Sequence, residues 1–286
     1  MGSETMIEPN GRQSDYGARG WNLIYRELAA FSKGAVLSVI SIEFATVLVP
    51  LLILWEVLPR TGVVPPTLVP TPSSVIVTFW QMLVEHGLVY HLCRSLTVFF
   101  SGFFIAFVTA FHIGVLMGWN MFFRKHSLPL FQILAPVPPP AWVPITIVAL
   151  GVGLPMQVFL VFLGAFYPIL FNTYQGVKDT DPRYLASAGV FGASEFTLIR
   201  HVYIWHALGS VIMGTKIGIA IGLVMLIISE MYGGRTGIGF LLVESKEYFN
   251  IDRMVVCIVI LGFIGWFLIE IMKYIELKLA VWRIGR

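Results

Sequence analysis

Three ionisable residues stand in or beside long apolar stretches: Glu43, Lys216 and Glu230. A charge at membrane depth is costly and survives where it meets a partner, a solute or a proton. The chemistry on offer is therefore counter-charge or proton relay. Each residue also has a quieter reading. Glu43 can sit at a span boundary, Lys216 can snorkel its ammonium to the nearer interface, and Glu230 can end a helix in water. The histidines His86, His91, His112, His126, His201 and His206 are scattered. His112 falls inside an apolar run, where it either packs with a hydrogen bond or lines a pathway. The sequence contains no Gly-rich loop ending in Gly-Lys-Ser/Thr, no His-Glu-x-x-His and no Gly-x-Ser-x-Gly. No Cys/His cluster has metal-ligand spacing. The expectation is a protein that is not an enzyme and binds no metal or cofactor of its own.

A second feature is a break. The stretch "APVPPPAWVPITIVALGVG", residues 135–153, carries Pro136, Pro138, Pro139, Pro140 and Pro144. Proline removes a backbone donor and clashes with the preceding helical turn. Non-helical backbone at membrane depth is tolerated only where protein buries it or a cavity wets it. Pro138, Pro139, Pro140, Ala141 and Trp142 are thus candidates to line a translocation path with Lys216 and Glu230, Trp142 acting as a gate. The alternative is a packing kink without solute contact.

These residues must be held by membrane helices. Of 286 residues, 57% are hydrophobic and 12% charged, with mean hydropathy +0.82; soluble domains carry roughly 25% charged residues. Six apolar runs approach the ~20 residues a helical span needs: 36–57, 93–118, 129–152, 156–174, 210–228 and 254–274. The fold expected is an all-α polytopic bundle of six transmembrane helices. Of the 19 Lys and Arg residues, only Arg60, Arg94, Arg235, Lys246 and Arg253 fall on one side, with Lys216 inside a span. The rest lie on the side that holds both termini, which is then cytoplasmic. The net charge of +3 reflects this orientation and gives no hint of nucleic acid.

Residues 1–33 read as a polar cytoplasmic tail without a signal peptide. Trp21, Leu23, Ile24, Leu28 and Phe31 suggest an interfacial helix within it. Residues 34–286 form the membrane domain. Between the first two spans, Ser73 reads as the N-cap of a helix whose apolar face is Val75, Ile76, Phe79, Trp80 and Leu83. Cys93 and Cys257 read as small apolar residues, a disulfide being possible but unforced. Gly214, Gly218 and Gly222 share a face of the fifth span, where another backbone can approach within the subunit or across a dimer. Chance composition is the alternative.

The segment 175–208 is long, mixed and charged. It reads "DPRYLASAG", then "VFGAS", then "EFTLIRHVYI". This pattern resembles the cytoplasmic loop of importer-type ABC transporter permeases: Glu-Ala-Ala, three residues, Gly, nine residues, Ile/Val, one residue, Leu-Pro. Ala186, Ser187 and Ala188 stand at the first three positions, Gly192 at the Gly, Val202 at the Ile/Val and Ile204 at the Leu. Ala186 replaces the acidic residue and Trp205 the proline. "LVPTPSSV", the proline stretch, "FYPILFNTYQGVKDTD", "GTKIGIAIG" and "SEMYGGRTGIGF" extend the resemblance, in the nitrate/sulfonate/taurine branch, over residues 70–286.

The resemblance implies a permease subunit in the bacterial inner membrane, paired with a second copy. It implies ABC ATPase subunits, which hold ATP and Mg, and an extracytoplasmic substrate-binding protein. It implies alternating access for a small solute, mostly anionic in this branch: nitrate-, sulfonate-, taurine- or carboxylate-like. Arg183, Tyr184, Leu185, Ser187, Ala188, Phe191, Gly192, Ala193 and Ser194 would then form a coupling helix and its turn. The competing classes are a stand-alone secondary transporter or channel, which needs charge relays, and a membrane enzyme, which needs clustered polar catalytic groups.

Overall fold

The computed structural model describes residues 42–65, 68–85 and 87–280, with side chains from residue 46 to 279 within those ranges. The expected interfacial helix, the Glu43 side chain and the start of the first expected span lie outside the described residues. The chain divides into two units, one holding residues 55–272 and the other the flanking residues. Every described element is helical.

Helix α1 (Ile42–Arg60) is the described part of the first expected span. Its end is tied to the start of α2 (Pro72–Val84). Trp55 Nε1 donates to the Pro70 carbonyl at 2.9 Å, and the Glu56 carboxylate accepts from the Ser73 hydroxyl at 2.7 Å and the Ser73 amide at 3.1 Å. The α2 cap is Thr71 rather than Ser73: its hydroxyl accepts from the Ser74 amide at 3.2 Å. Pro72 lacks an N–H and its fixed φ suits the first helical position, which sets the cap one residue before it.

Four helical segments among the described residues are long and apolar enough to cross a bilayer. They are α3 (Leu88–Trp119), α6 (Leu154–Lys178), the stretch Glu195–Gly233 and α11 (Ile251–Ala280). The expected span 129–152 is instead a pair bent by 86°. Helix α4 (Met121–Leu134) begins earlier than expected, because the Asn120 side chain caps it by accepting from the Phe123 amide. A 3-10 turn (Pro139–Trp142) and α5 (Val143–Leu150) follow the break. Counted as one span, this pair makes five.

Helix α6 is the most buried element of the larger unit. Ala106, Ala110 and Met117 of α3 pack on Ala165, Phe166, Ile169 and Leu170 of α6. Ile219, Leu223 and Leu226 join Val161 of α6 and Phe99 of α3 in a second cluster. Small residues let these backbones approach. A methyl group on Gly102 would lie 2.6 Å from the Val158 carbonyl oxygen, and one on Gly114 2.8 Å from Thr173 Cβ. Outward-facing Ile76, Trp80, Phe104, Phe263 and Phe267 are exposed, the surface a hydrocarbon solvent accepts and water does not. Cys257 is buried as expected of a small apolar residue, whereas Cys93 is exposed; both are free thiols.

Candidate functional site

The segment after α6 is built from local signals. Asp181 caps α7 (Pro182–Val190), its carboxylate accepting from the Arg183 amide at 2.9 Å, with Pro182 at the first position. The Arg183 guanidinium folds back onto the same carboxylate, Nη2 donating to Oδ2 at 2.7 Å. At the other end, the Gly192 amide donates to the Gly189 carbonyl at 2.9 Å and the Ala193 amide to the Ala188 carbonyl at 3.1 Å. That pair is the Schellman closure, which places a left-handed residue at its pivot. Gly192 has φ +71°, a conformation costly for a residue with Cβ. Ser194 then caps α8 (Glu195–Leu198).

This hairpin of short helices leaves apolar side chains in solvent. Val190, Phe191 and Phe196 are 86%, 89% and 70% exposed. Ala188, Leu185 and Ala193 are half-buried; Arg183, Tyr184, Ser187, Gly192 and Ser194 are exposed. The Tyr184 ring sits 6.4 Å from the His206 ring. A π turn (Ile199–Tyr203) joins α8 to α9 (Ile204–Gly233); such turns cluster at functional positions in helices. Trp205, at the position the family pattern gives to proline, continues α9 directly after this turn.

The Arg183 side-chain bond, then its backbone bond, holds the Asp181 carboxyl below the usual carboxylate range, and Arg183 is raised in turn by Asp181. A depressed folded-state value gives a stabilisation that is complete above the unfolded value of about 4 and lost as pH falls through the folded one. Amide exchange at residues 183–185, corrected for intrinsic rates, is expected to be flat from about pH 8 to about pH 5 and to rise below about pH 4. Asp181→Ala should show the faster exchange throughout. A transition centred near neutrality would contradict this cap.

The proposed path residues separate into three settings. Pro138, Pro140 and Ala141 are exposed, Pro139 is half-buried, and Trp142 packs beside Val143, Met156 and Met225. Lys216 is half-buried midway along α9. His112 is exposed on α3, with Nδ1 2.7 Å from the Val108 carbonyl. Glu230 does not end its helix in water; it is 0% exposed. Its Oε1 accepts from the Ser95 hydroxyl at 2.6 Å, and its Oε2 from the Gly239 amide at 2.7 Å. The Ser95 oxygen in turn accepts from the Ile238 amide at 2.8 Å, and His91 Nδ1 from the Gly237 amide at 3.0 Å. Three successive amides at the start of α10 (Ile238–Glu247) are thus received by side chains of α3 and α9. These amides have no intrahelical acceptor. Ser95 and His91 carried no signal in the sequence beyond their one-turn spacing.

The glycine face of α9 meets α6. A methyl group at Gly214 would lie 2.6 Å from Asn172 Cβ and 2.8 Å from the Pro168 carbonyl oxygen. At Gly218 it would meet the Ile169 side chain at 3.1 Å, and at Gly222 the Phe99 ring at 3.4 Å.

Residues 102–281 match the family described as binding-protein-dependent transport system inner membrane component. The chain belongs to this family. Permeases of this kind are membrane subunits of transporters rather than enzymes. A Methanocaldococcus jannaschii protein named as an ABC transporter permease is 30% identical over 235 residues, covering 81% of this chain and 88% of that one. The taurine transport system permease of Escherichia coli is 26% identical, covering 81% and 86%. The bicarbonate transport system permease of Synechococcus elongatus is 28% identical, covering 79% and 84%. In fold, the permease resembles a chain of the MetNI methionine ABC transporter in an inward-facing conformation, with TM-score 0.54 at 19% identity, covering 70% of this chain and 96% of that one.

Proposed function

We propose that this permease carries a small oxyanion, of the sulfonate, taurine or bicarbonate kind handled by its relatives, into the cytoplasm by alternating access. It works as two copies with two ATPases and an extracytoplasmic binding protein. In this reading the permease has six spans, with both termini and residues 179–203 in the cytoplasm and residues 234–250 outside. The observation that carries this reading is the capped helix α7 and its Gly192 turn, holding Val190, Phe191 and Phe196 in solvent. Exposed aromatic side chains on a rigid short helix suit a groove on a partner, and a permease without a nucleotide site receives its work through such a contact. Pro138–Trp142 and Lys216 are proposed to face the path. Glu230 is proposed to position α10 instead.

The test uses the assembled complex in proteoliposomes. Phe191→Asp should abolish co-purification of the ATPase and ATP-driven uptake, with the permease still inserted. Gly192→Asn should keep most uptake, because Asn tolerates the left-handed region, whereas Gly192→Val should lose it. Full ATPase capture by Phe191→Asp, or equal uptake by both Gly192 variants, would remove this segment as the coupling element.

A further inference from the structure

A polar cavity of about 410 Å³ opens at the end of the larger unit that carries α10. Its walls include Arg235, Thr236, His91, Glu244, Tyr248 and Arg253, and Met82 and Leu241 supply buried apolar floor. His91 is held there by two contacts: its Nδ1 accepts from the Gly237 amide at 3.0 Å, and its ring stacks on Phe240 at 6.1 Å. Since Nδ1 is the acceptor, the ring proton of neutral His91 is on Nε2, leaving that edge as a donor. Two guanidiniums, an imidazole N–H and the Thr236 hydroxyl make a donor-rich wall. Glu244 opposes the arginines, so the wall favours one negative charge on a ligand over two. The apolar floor favours a short hydrocarbon body.

We propose that this cavity binds a small organic monoanion, a sulfonate or carboxylate on a short alkyl chain, at the outer face of the permease. The site is distinct from the Pro138–Trp142 segment and rests on the orientation given above. Arg235 and Arg253 bind the oxyanion, His91 and Thr236 donate to it, and Met82 and Leu241 receive the alkyl group. Because His91 on α3 receives the Gly237 amide and residues 235–237 lead directly into α10, occupancy braces that helix.

The experiment is calorimetric titration of ethanesulfonate, butyrate, sulfate and ethylammonium into the full transporter complex in nanodiscs, without binding protein. Saturable binding of ethanesulfonate or butyrate is expected, weaker binding of sulfate, and none of ethylammonium. Arg235→Gln and Arg253→Gln should each weaken binding about tenfold, the loss of one charge-assisted hydrogen bond, with unchanged thermal unfolding. Ethanesulfonate alone or butyrate alone would fix which oxyanion the site takes, within the proposal. Absence of saturable binding to the unaltered complex, binding untouched by both substitutions, or sulfate binding most tightly would overturn it. So would an unaltered complex that ignores every probe while Arg235→Gln weakens docking of the binding protein. That result would give the cavity to a protein carboxylate. Uptake is read in the same preparation: no ATP-driven uptake sinks the permease reading, whereas uptake without ethanesulfonate or butyrate binding sinks this site alone.

Discussion

Glu230→Ala is expected to destabilise the purified permease by about 2–6 kcal/mol, because two buried donors lose their acceptor and each unsatisfied group costs about 1–3 kcal/mol. The donors are the Ser95 hydroxyl and the Gly239 amide. Gly237 leaves no slack for repair: a methyl there would overlap the Glu230 carboxylate itself. Thermal unfolding in detergent measures the loss, and amide exchange across residues 237–241 locates it. Glu230→Gln keeps the volume and one acceptor oxygen, so it should fall between wild type and Ala. If Glu230→Ala unfolds at the wild-type temperature with unchanged exchange at Gly239, the carboxylate does not hold α10.

Gly214→Leu should be the most damaging substitution on the glycine face of α9. Backbone atoms bound the space there, the Pro168 carbonyl oxygen at 2.8 Å and Ile169 Cα at 3.2 Å from a methyl position. Backbone cannot rotate away as a side chain can, so the two helices must separate along their packed length. Overpacking of a tight core costs about 1–3 kcal/mol and more where backbone must shift. The expected result is loss of the folded protein, or a sharply lowered unfolding temperature. Gly222→Ala is the contrasting case, since its nearest neighbour is the Phe99 ring at 3.4 Å. It should assemble and unfold normally. Equal behaviour of the two variants would deny that backbone contact decides the outcome.

The features legible in the sequence were those set by local chemistry. Apolar runs marked the long helices, Asp181 and Pro182 the start of α7, and Gly192 its turn, because each acts on the residues beside it. Helix α10 was not legible. "GGRTGIGF" reads as a loop, with glycines at Gly233, Gly234, Gly237 and Gly239. It becomes helical where His91, Ser95 and Glu230 receive its first amides, and two of those partners lie more than a hundred residues away. The same distance hid the setting of Glu230, for which the apolar context suggested a pathway or a wet helix end. The break at residues 135–138 was visible as prolines, but its 86° angle was not, since proline removes a bond without stating where the chain goes next.

The glycine contacts of α6 also have a mechanical consequence. At Gly102, Gly114 and Gly118 of α3, and at Gly214 and Gly218 of α9, the gap to α6 is smaller than a methyl group needs. Packed matter of this density is scarcely compressible and transmits strain. The three helices form a stiff plate in which one member cannot slide without carrying the others. Under the proposed coupling, a force on residues 179–203 would reach residues 234–250 as a tilt of these packed helices. Such contacts are missing at Gly189 and Gly192, and the regular helix is interrupted at the π turn 199–203 and at the elbow of residues 135–138. Nothing lies within 4 Å of a methyl position at Gly192, so this turn has room to move without disturbing the packed helices.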